Sequence, residues 1–295
     1  LPNIILSPRA IPRMREALHR EHFDVLHLHE PMTPVPCVAA LAFWDGPTVA
    51  TFHASGQLGW MRIAKHAWGF LADRIDRRIA VSDMAARSAA RHLCGDYEIV
   101  PNGVLIPPEA DPGTRRHRIV FAGRHETRKG LHVLLEAWPE IRRRTGAELR
   151  LIGADPLRVG LLLTRLRVPE EGIAVLGFLD QEHLTQELLA AKALVAPSLG
   201  GESFGMVLTR AFACATPVVA SDISGYRDVV TPGTAFSFPA GDRAALVTAI
   251  ESLLADEPRR QAMGAAARQL AQERYAWSAI AGRLVEQYQA AGAAA

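Results

Sequence analysis

Cysteine is scarce. The three residues Cys37, Cys94 and Cys214 in a chain of 295 lie far apart and match no zinc or redox spacing. This excludes a small disulfide-stapled fold and fits a reducing compartment. Long apolar runs are lacking too: none approaches the roughly 18 residues that cross a bilayer, and no signal peptide is read ahead of the first domain, so a cytoplasmic location is expected. Neither sign of charge dominates, with 33 Lys and Arg against 31 Asp and Glu for a net +2. With no basic arm, no zinc-finger spacing and no aromatic-basic interleaving, nucleic acid is not an expected partner.

What the chain does have is an ordinary globular composition and enough length for about two domains. Its first half alternates apolar strands and helices. Residues 9–20 read as a helix and residues 23–31 as a buried strand that ends on His27, His29 and Glu30. Two histidines at alternate positions could suggest a metal, but no third ligand follows at matching spacing, so no metal site is expected. Residues 34–43 read as a helix, and residues 48–53 as a strand ending in His53, at the end where open parallel sheets bind ligands. The stretch 58–78, from Leu58 to Arg78, reads as a long helix carrying Trp60 and Trp68 among basic residues. That face suits either an anionic membrane surface or an interior packing role, because Asp73 and Asp76 dilute its charge. A strand at 78–81, a helix at 84–93 capped by Ser82 or Asp83, a strand at 98–100 and a turn at 101–103 complete this half.

The proline-rich segment 106–113 marks a domain boundary. After a strand at 119–122 comes Gly123-Arg-His-Glu-Thr-Arg-Lys-Gly130, a loop with three cations, then a helix over 131–137. Arg at a strand end can grip a diphosphate with two parallel hydrogen bonds and Lys can serve as a point charge; a solvated basic loop is the other reading. Strands are expected at 148–153 and 173–176, helices at 156–166, 182–191, 242–255, 258–273 and 277–290, and a loop at 222–228 runs into Val229–Val230. The centre of this half is the stretch 199–221, Leu-Gly-Gly-Glu-Ser-Phe-Gly-Met-Val-Leu-Thr-Arg-Ala-Phe-Ala-Cys-Ala-Thr-Pro-Val-Val-Ala-Ser, between apolar runs at 193–196 and 217–220. It reads as strand, glycine-rich loop, helix and strand. Phe204, Val207, Leu208, Ala211 and Phe212 form one apolar stripe. Ser203 is expected as the N-cap, leaving the amides of Phe204, Gly205 and Met206 open to an anion. Glu202, just before the cap, could hold hydroxyls there or simply favour the helix start through the macrodipole.

Gly-Gly-Glu-Ser-Phe-Gly, together with Gly-Arg, five residues and Gly in the loop 123–130, resembles the retaining glycosyltransferases of family 4, and within them the bacterial phosphatidylinositol α-mannosyltransferases. The resemblance implies an α/β fold of the GT-B class, two Rossmann-like parallel-sheet domains facing a cleft. The expected domains are 1–112 on the acceptor side, lacking its first strand-helix units, 113–276 binding the nucleotide sugar, and 277–295 as a helix crossing back. It implies a hexose transfer, mannose from GDP-mannose, to a lipid-linked or inositol acceptor, with peripheral membrane contact through 58–78. No cofactor and no metal are expected. Arg124 and Lys129 match positions that hold the donor diphosphate. Glu202 matches the residue touching the transferred sugar, and Ser203, Phe204, Gly205, Met206 and Val207 lie beside sugar and phosphate. Gly153 joins this donor-binding set, Gly177 and Phe178 match the segment flanking the base, and His53 matches a histidine near the sugar hydroxyls.

Three departures from the family pattern stand out. The glycine-rich loop after the family's first strand belongs upstream of Leu1. Arg210 replaces a second glutamate that accepts hydrogen bonds from the ribose; an arginine only donates, and losing two such contacts costs about 2–4 kcal/mol of donor affinity. Ala215 stands where relatives have glycine after the helix, so a left-handed end would cost roughly 1 kcal/mol and a different helix end is expected. Arg210 and the upstream loop also support an alternative, a non-catalytic GT-B relative acting as a binding or scaffold protein. An epimerase is disfavoured because no extra acid-base carboxylate pair is evident.

Overall fold

The computed structural model describes residues 10–31, 36–54 and 72–293. Most of the 58–78 stretch, read as a long helix, lies outside them. The chain divides into two compact units, Leu1–Asn102 with Ile280–Ala295, and Gly103–Ala279.

In the first unit, β1 (Leu26–His29), β2 (Thr48–Phe52), β3 (Arg77–Ala80) and β4 (Glu98–Ile99) form a parallel sheet in that order. Arg77 therefore belongs to a strand and not to the helix read over 58–78, while Arg78 lies in that strand as the 78–81 reading expects. β2 is buried along its whole length, Thr48 and Thr51 included, as befits an inner strand of a sheet covered on both faces. Helices α1 (Ala10–Arg20), α2 (Pro36–Phe43) and α3 (Asp83–Ala90) accompany it, and Ser82 caps α3 by accepting from the Ala85 amide. The last helix, α10 (Trp277–Ala290), starts in the second unit and from Ile280 onward belongs to the first. Ile280 packs with Val49, Ile79 and Val100.

The second unit holds six parallel strands: β5 (Arg116–Ala122), β6 (Glu148–Ile152), β7 (Ile173–Gly177), β8 (Ala191–Ala196), β9 (Val218–Ser221) and β10 (Ala235–Phe238). Their spatial order is β7-β6-β5-β8-β9-β10, the doubly wound dinucleotide-type order, which reverses direction between β5 and β8. The helices are α4 (Leu131–Thr145), α5 (Pro156–Leu166), α6 (Gln181–Leu189), α7 (Met206–Ala213), α8 (Arg243–Ala255) and α9 (Glu257–Arg274). Leu134, Leu135, Trp138 and Ile141 of α4 join Leu246, Ile250 and Leu253 of α8 in one apolar core.

Several expected boundaries move. The change of unit falls at Asn102/Gly103, ahead of the proline-rich segment, because Val104 bridges Ala276 and the Pro107 carbonyl accepts from Arg268 at 2.7 Å. α4 continues past residue 137 and through Pro139, held by the burial of Trp138 and Ile141. Val229 and Val230 form no strand; both amides turn back to the Tyr226 carbonyl. β10 had no counterpart in the sequence reading.

The end of α7 also differs from expectation. Ala215 does take a left-handed backbone, φ 52°. Its amide donates to the Phe212 carbonyl at 2.9 Å and the Thr216 amide to that of Ala211 at 2.9 Å, a Schellman end with alanine in the glycine position. Two guanidiniums close it. Arg115 donates to the carbonyls of Cys214 and Ala215, and Arg268 to that of Ala213 at 2.6 Å, so cations satisfy the negative end of the helix dipole.

Candidate functional site

In a doubly wound sheet, loops leaving the strands on either side of the reversal diverge and open a binding crevice at their C-terminal ends. Here those are the loops after β5 and β8. They are fastened to each other: the Leu199 amide donates to the Arg128 carbonyl at 2.7 Å. Gly130 makes this approach possible. Its φ is 68°, and a Cβ there would stand 1.8 Å from the Pro197 carbonyl oxygen. Gly123, Gly153 and Gly177 line the ends of β5, β6 and β7; the Gly123 amide donates to Ile152 at 2.9 Å and the Gly153 amide to Gly177 at 2.6 Å. A side chain on Gly153 would press within 3.0 Å of the Gly123 carbonyl oxygen.

The two loops place charges in a chain. Glu202 Oε1 accepts from Lys129 Nζ at 2.7 Å and from Arg128 Nη1 at 2.6 Å, and the Glu202 side chain is only 10% exposed. Arg128 also donates to the Gly201 carbonyl at 2.9 Å and pairs through Nε with Glu126 at 2.7 Å. Arg124 reaches the same Glu126 at 3.0 Å. Three cations thus face two carboxylates, a net positive cluster at the switch point. Sequence reading singled out Arg124, Lys129 and Glu202 but passed over Arg128 and Glu126. The run of alternating charge in Arg-His-Glu-Thr-Arg-Lys was the available signal.

The loop after β9 supports Glu202 from behind. A Cβ at Gly225 would stand 1.9 Å from the Glu202 carbonyl oxygen, so only glycine admits this contact. Next to it, buried Tyr226 shares a 2.8 Å hydrogen bond with Ser198. Burial first, and then the Glu202 carboxylate, push the Tyr226 phenol above its ordinary range.

The start of α7 is not where Ser203 would put it. Gly205 is the N-cap, with φ 84°, and a side chain there would meet the Tyr226 ring at 2.8 Å. The first helical amides are those of Met206 and Val207, while the Leu208 amide donates to the Gly205 carbonyl. Of the three amides expected to be open, only that of Met206 lies inside the helix. Phe204 turns inward and packs edge-on against Tyr275 with ring centres 5.7 Å apart. Gly177 takes φ 66° and Phe178 beside it is 75% exposed. Arg210 sits half-buried on the second turn of α7 and, among the described residues, forms no ion pair.

His53 belongs to the first unit, where the ends of β1 and β2 gather a second polar group. His27 and His29 stack with ring centres 4.4 Å apart, and His29 Nδ1 lies 2.8 Å from His53 Nε2. His27 is held at both nitrogens, by Tyr288 Oη and Thr51 Oγ1, each at 2.8 Å. Burial, aided by the neighbouring rings, lowers His27 and His53 to about 4. Glu30 takes φ 53° and its carboxylate accepts from the His53 and Ala54 amides. Among the described residues no group of three or more such side chains could hold a metal ion; the rings bond to each other instead.

A doubly wound nucleotide-type unit with a cationic switch point and a second parallel α/β unit are the two parts of a GT-B fold. Residues 1–105 match the profile of Glycosyltransferase Family 4 and residues 116–256 that of Glycosyl transferases group 1. The phosphatidyl-myo-inositol mannosyltransferase of Mycobacterium leprae is 36% identical over 96% of this chain and 78% of its own length; that of Mycobacterium tuberculosis is 34% identical over the same shares. Among solved structures, Anabaena Alr3699/HepE in complex with UDP-glucose superposes with a TM-score of 0.81 at 20% identity, covering 98% of this chain and 84% of that one. A sucrose-phosphate synthase from Thermosynechococcus elongatus superposes with a TM-score of 0.79 at 22% identity, covering 98% and 79%. The chain belongs to glycosyltransferase family 4 and is a glycosyltransferase.

Proposed function

We propose that this enzyme transfers mannose from GDP-mannose to a lipid-linked or inositol acceptor such as phosphatidylinositol, with retention at the anomeric carbon. The observation that carries the proposal is the Glu202 carboxylate shared by Arg128 and Lys129 at the switch point of the second unit. A donor diphosphate would draw those two cations and Arg124 to its own oxygens and release the Glu202 oxygens to accept hydrogen bonds from sugar hydroxyls. The same cations would stabilise charge as it builds on the departing nucleotide. Similarity to phosphatidyl-myo-inositol mannosyltransferases supports the sugar and the acceptor. Among the described residues no helix is long and apolar enough to cross a membrane. The 58–78 stretch is the proposed place of peripheral contact with the acceptor's membrane.

The test incubates the protein with GDP-mannose or UDP-glucose and phosphatidylinositol vesicles. A mannosylated lipid with the α configuration by NMR is expected from GDP-mannose. Product from UDP-glucose alone would overturn the donor, and no lipid product from either would overturn the acceptor.

A further inference from the structure

Helix α5 is apolar on two sides. Val159 and Leu163 face the core, with Leu162 and Leu166 half-buried against it. At 3.6 residues per turn, Leu157 and Leu161 fall on the opposite side, one turn apart, and are 81% and 72% exposed. The helix does not need this outer stripe to pack, since one apolar face already seats it on the sheet. Thr164 lies on one flank of the two leucines, and Arg158 and Arg165 line the other.

The charge around the stripe has one sign. α5 contains no acidic residue. Arg158, Arg165 and, just past the helix, Arg167 are exposed and form no ion pair among the described residues. The nearby carboxylates of Asp155 and Glu171 are directed elsewhere. Asp155 accepts from the Arg158 amide at 3.0 Å as the N-cap, and Glu171 faces Arg142 at 3.8 Å. Glu170 follows beyond the helix, after Pro169. A second copy of the chain is a poor match for this face. An antiparallel two-fold pairing puts the arginines of both copies along one edge, and two leucines fall far short of the roughly 800 Å² that each partner of a stable dimer buries. Leucines flanked by unpaired arginines match an anionic lipid surface, where the apolar side chains enter the interface and the guanidiniums reach phosphates.

We infer that α5 is a contact of the second unit with an anionic lipid surface: Leu157 and Leu161 enter its interfacial layer while Arg158 and Arg165 meet lipid phosphates. α5 starts directly after β6, at the end of the sheet where the donor loops gather, so the contact holds that end of the unit at a membrane. The binding stands apart from the transferase reading; only its use, keeping the donor near a lipid acceptor, rests on it.

Co-sedimentation of the full chain with vesicles of phosphatidylcholine containing phosphatidylinositol, and with phosphatidylcholine alone, tests this without any sugar donor. The parent should prefer the phosphatidylinositol vesicles. Leu157→Ser/Leu161→Ser and, separately, Arg158→Gln/Arg165→Gln should each lower affinity for them by at least about tenfold. All four positions lie at the surface, and an unchanged thermal midpoint by circular dichroism confirms that each variant is folded. Any contact through 58–78 is common to parent and variants, so the difference between them reads α5. Equal binding by the parent and both variants would overturn the inference, as would a parent that binds the two kinds of vesicle alike or neither. A parent that is dimeric by light scattering, and is made monomeric by the leucine pair, would assign the stripe to a second copy and overturn it too. Vesicle binding lost in the variants, with no sugar transferred by the parent, would sink the transferase reading and leave this one standing.

Discussion

Glu202→Gln should make the protein bind GDP more tightly while it loses transfer. Glu202 Oε1 occupies Lys129 and Arg128 at 2.7 and 2.6 Å. A diphosphate must compete for the same cations. Two unit charges at such separations attract by about 1.5–6 kcal/mol when the effective dielectric lies between that of water and of a protein surface. Desolvation and side-chain ordering reduce exposed pairs to a fraction of this, below about 1 kcal/mol. Glu202 is well shielded, so about 1 kcal/mol per contact is a fair estimate, or about 2 kcal/mol for both. Glutamine keeps the shape and removes the charge, so GDP affinity should rise by up to roughly thirtyfold. Isothermal titration of GDP into both proteins at low salt measures this, with circular dichroism confirming that the variant is folded. The gain should shrink as salt rises, since screening weakens the pair being removed. The proposed mannosyl transfer should fall at least a hundredfold, because a neutral amide would be a weaker acceptor for a sugar hydroxyl. A folded variant that binds GDP no better than the parent would refute the competition on which this rests.

Arg210→Glu should strengthen GDP binding by about 2 kcal/mol, roughly thirtyfold, if Arg210 is only a lost acceptor; weaker binding in the same titration would show that the guanidinium holds an anion of its own. Ala215→Gly should raise stability by about 0.5–1 kcal/mol, because relief of the left-handed backbone exceeds the entropy glycine adds to the unfolded chain; a lower thermal midpoint would contradict this. Acid should unfold the first unit early. The folded pKa values of His27 and His53, about 4, lie below the ordinary 6.5, so their contribution is complete above 6.5 and is lost as pH falls toward 4. Denaturant titrations should show the loss over that window, and His27→Gln should flatten it.

The parallel α/β character was readable because residues 119–122, 193–196 and 217–220 are short apolar runs and α7 carries a regular apolar stripe. Glu202, Lys129 and Arg124 were readable because two motifs lie on adjacent strands. What escaped depends on partners distant in sequence. Ser203 is the better N-cap by intrinsic preference, yet Gly205 takes the position because the Tyr226 ring leaves no room for a side chain there. Arg128 looked like one more surface cation until Glu126 and Glu202 were seen on either side of it. β10 is four residues long after a Thr-Pro-Gly-Thr turn, too short for its alternation to register. His27 is held by Tyr288, far away in the chain.

The last helix has a consequence for the order in which the molecule is made. Val49, Ile79 and Val100 are synthesised early, but the residue that covers them, Ile280, emerges only after the whole second unit has left the ribosome. The second unit is continuous from Gly103 to Ala279 and can fold as it appears, whereas the first must wait with an apolar sheet face open. Vectorial synthesis therefore completes the later unit first, and a nascent chain halted before Ile280 would present that face to chaperones.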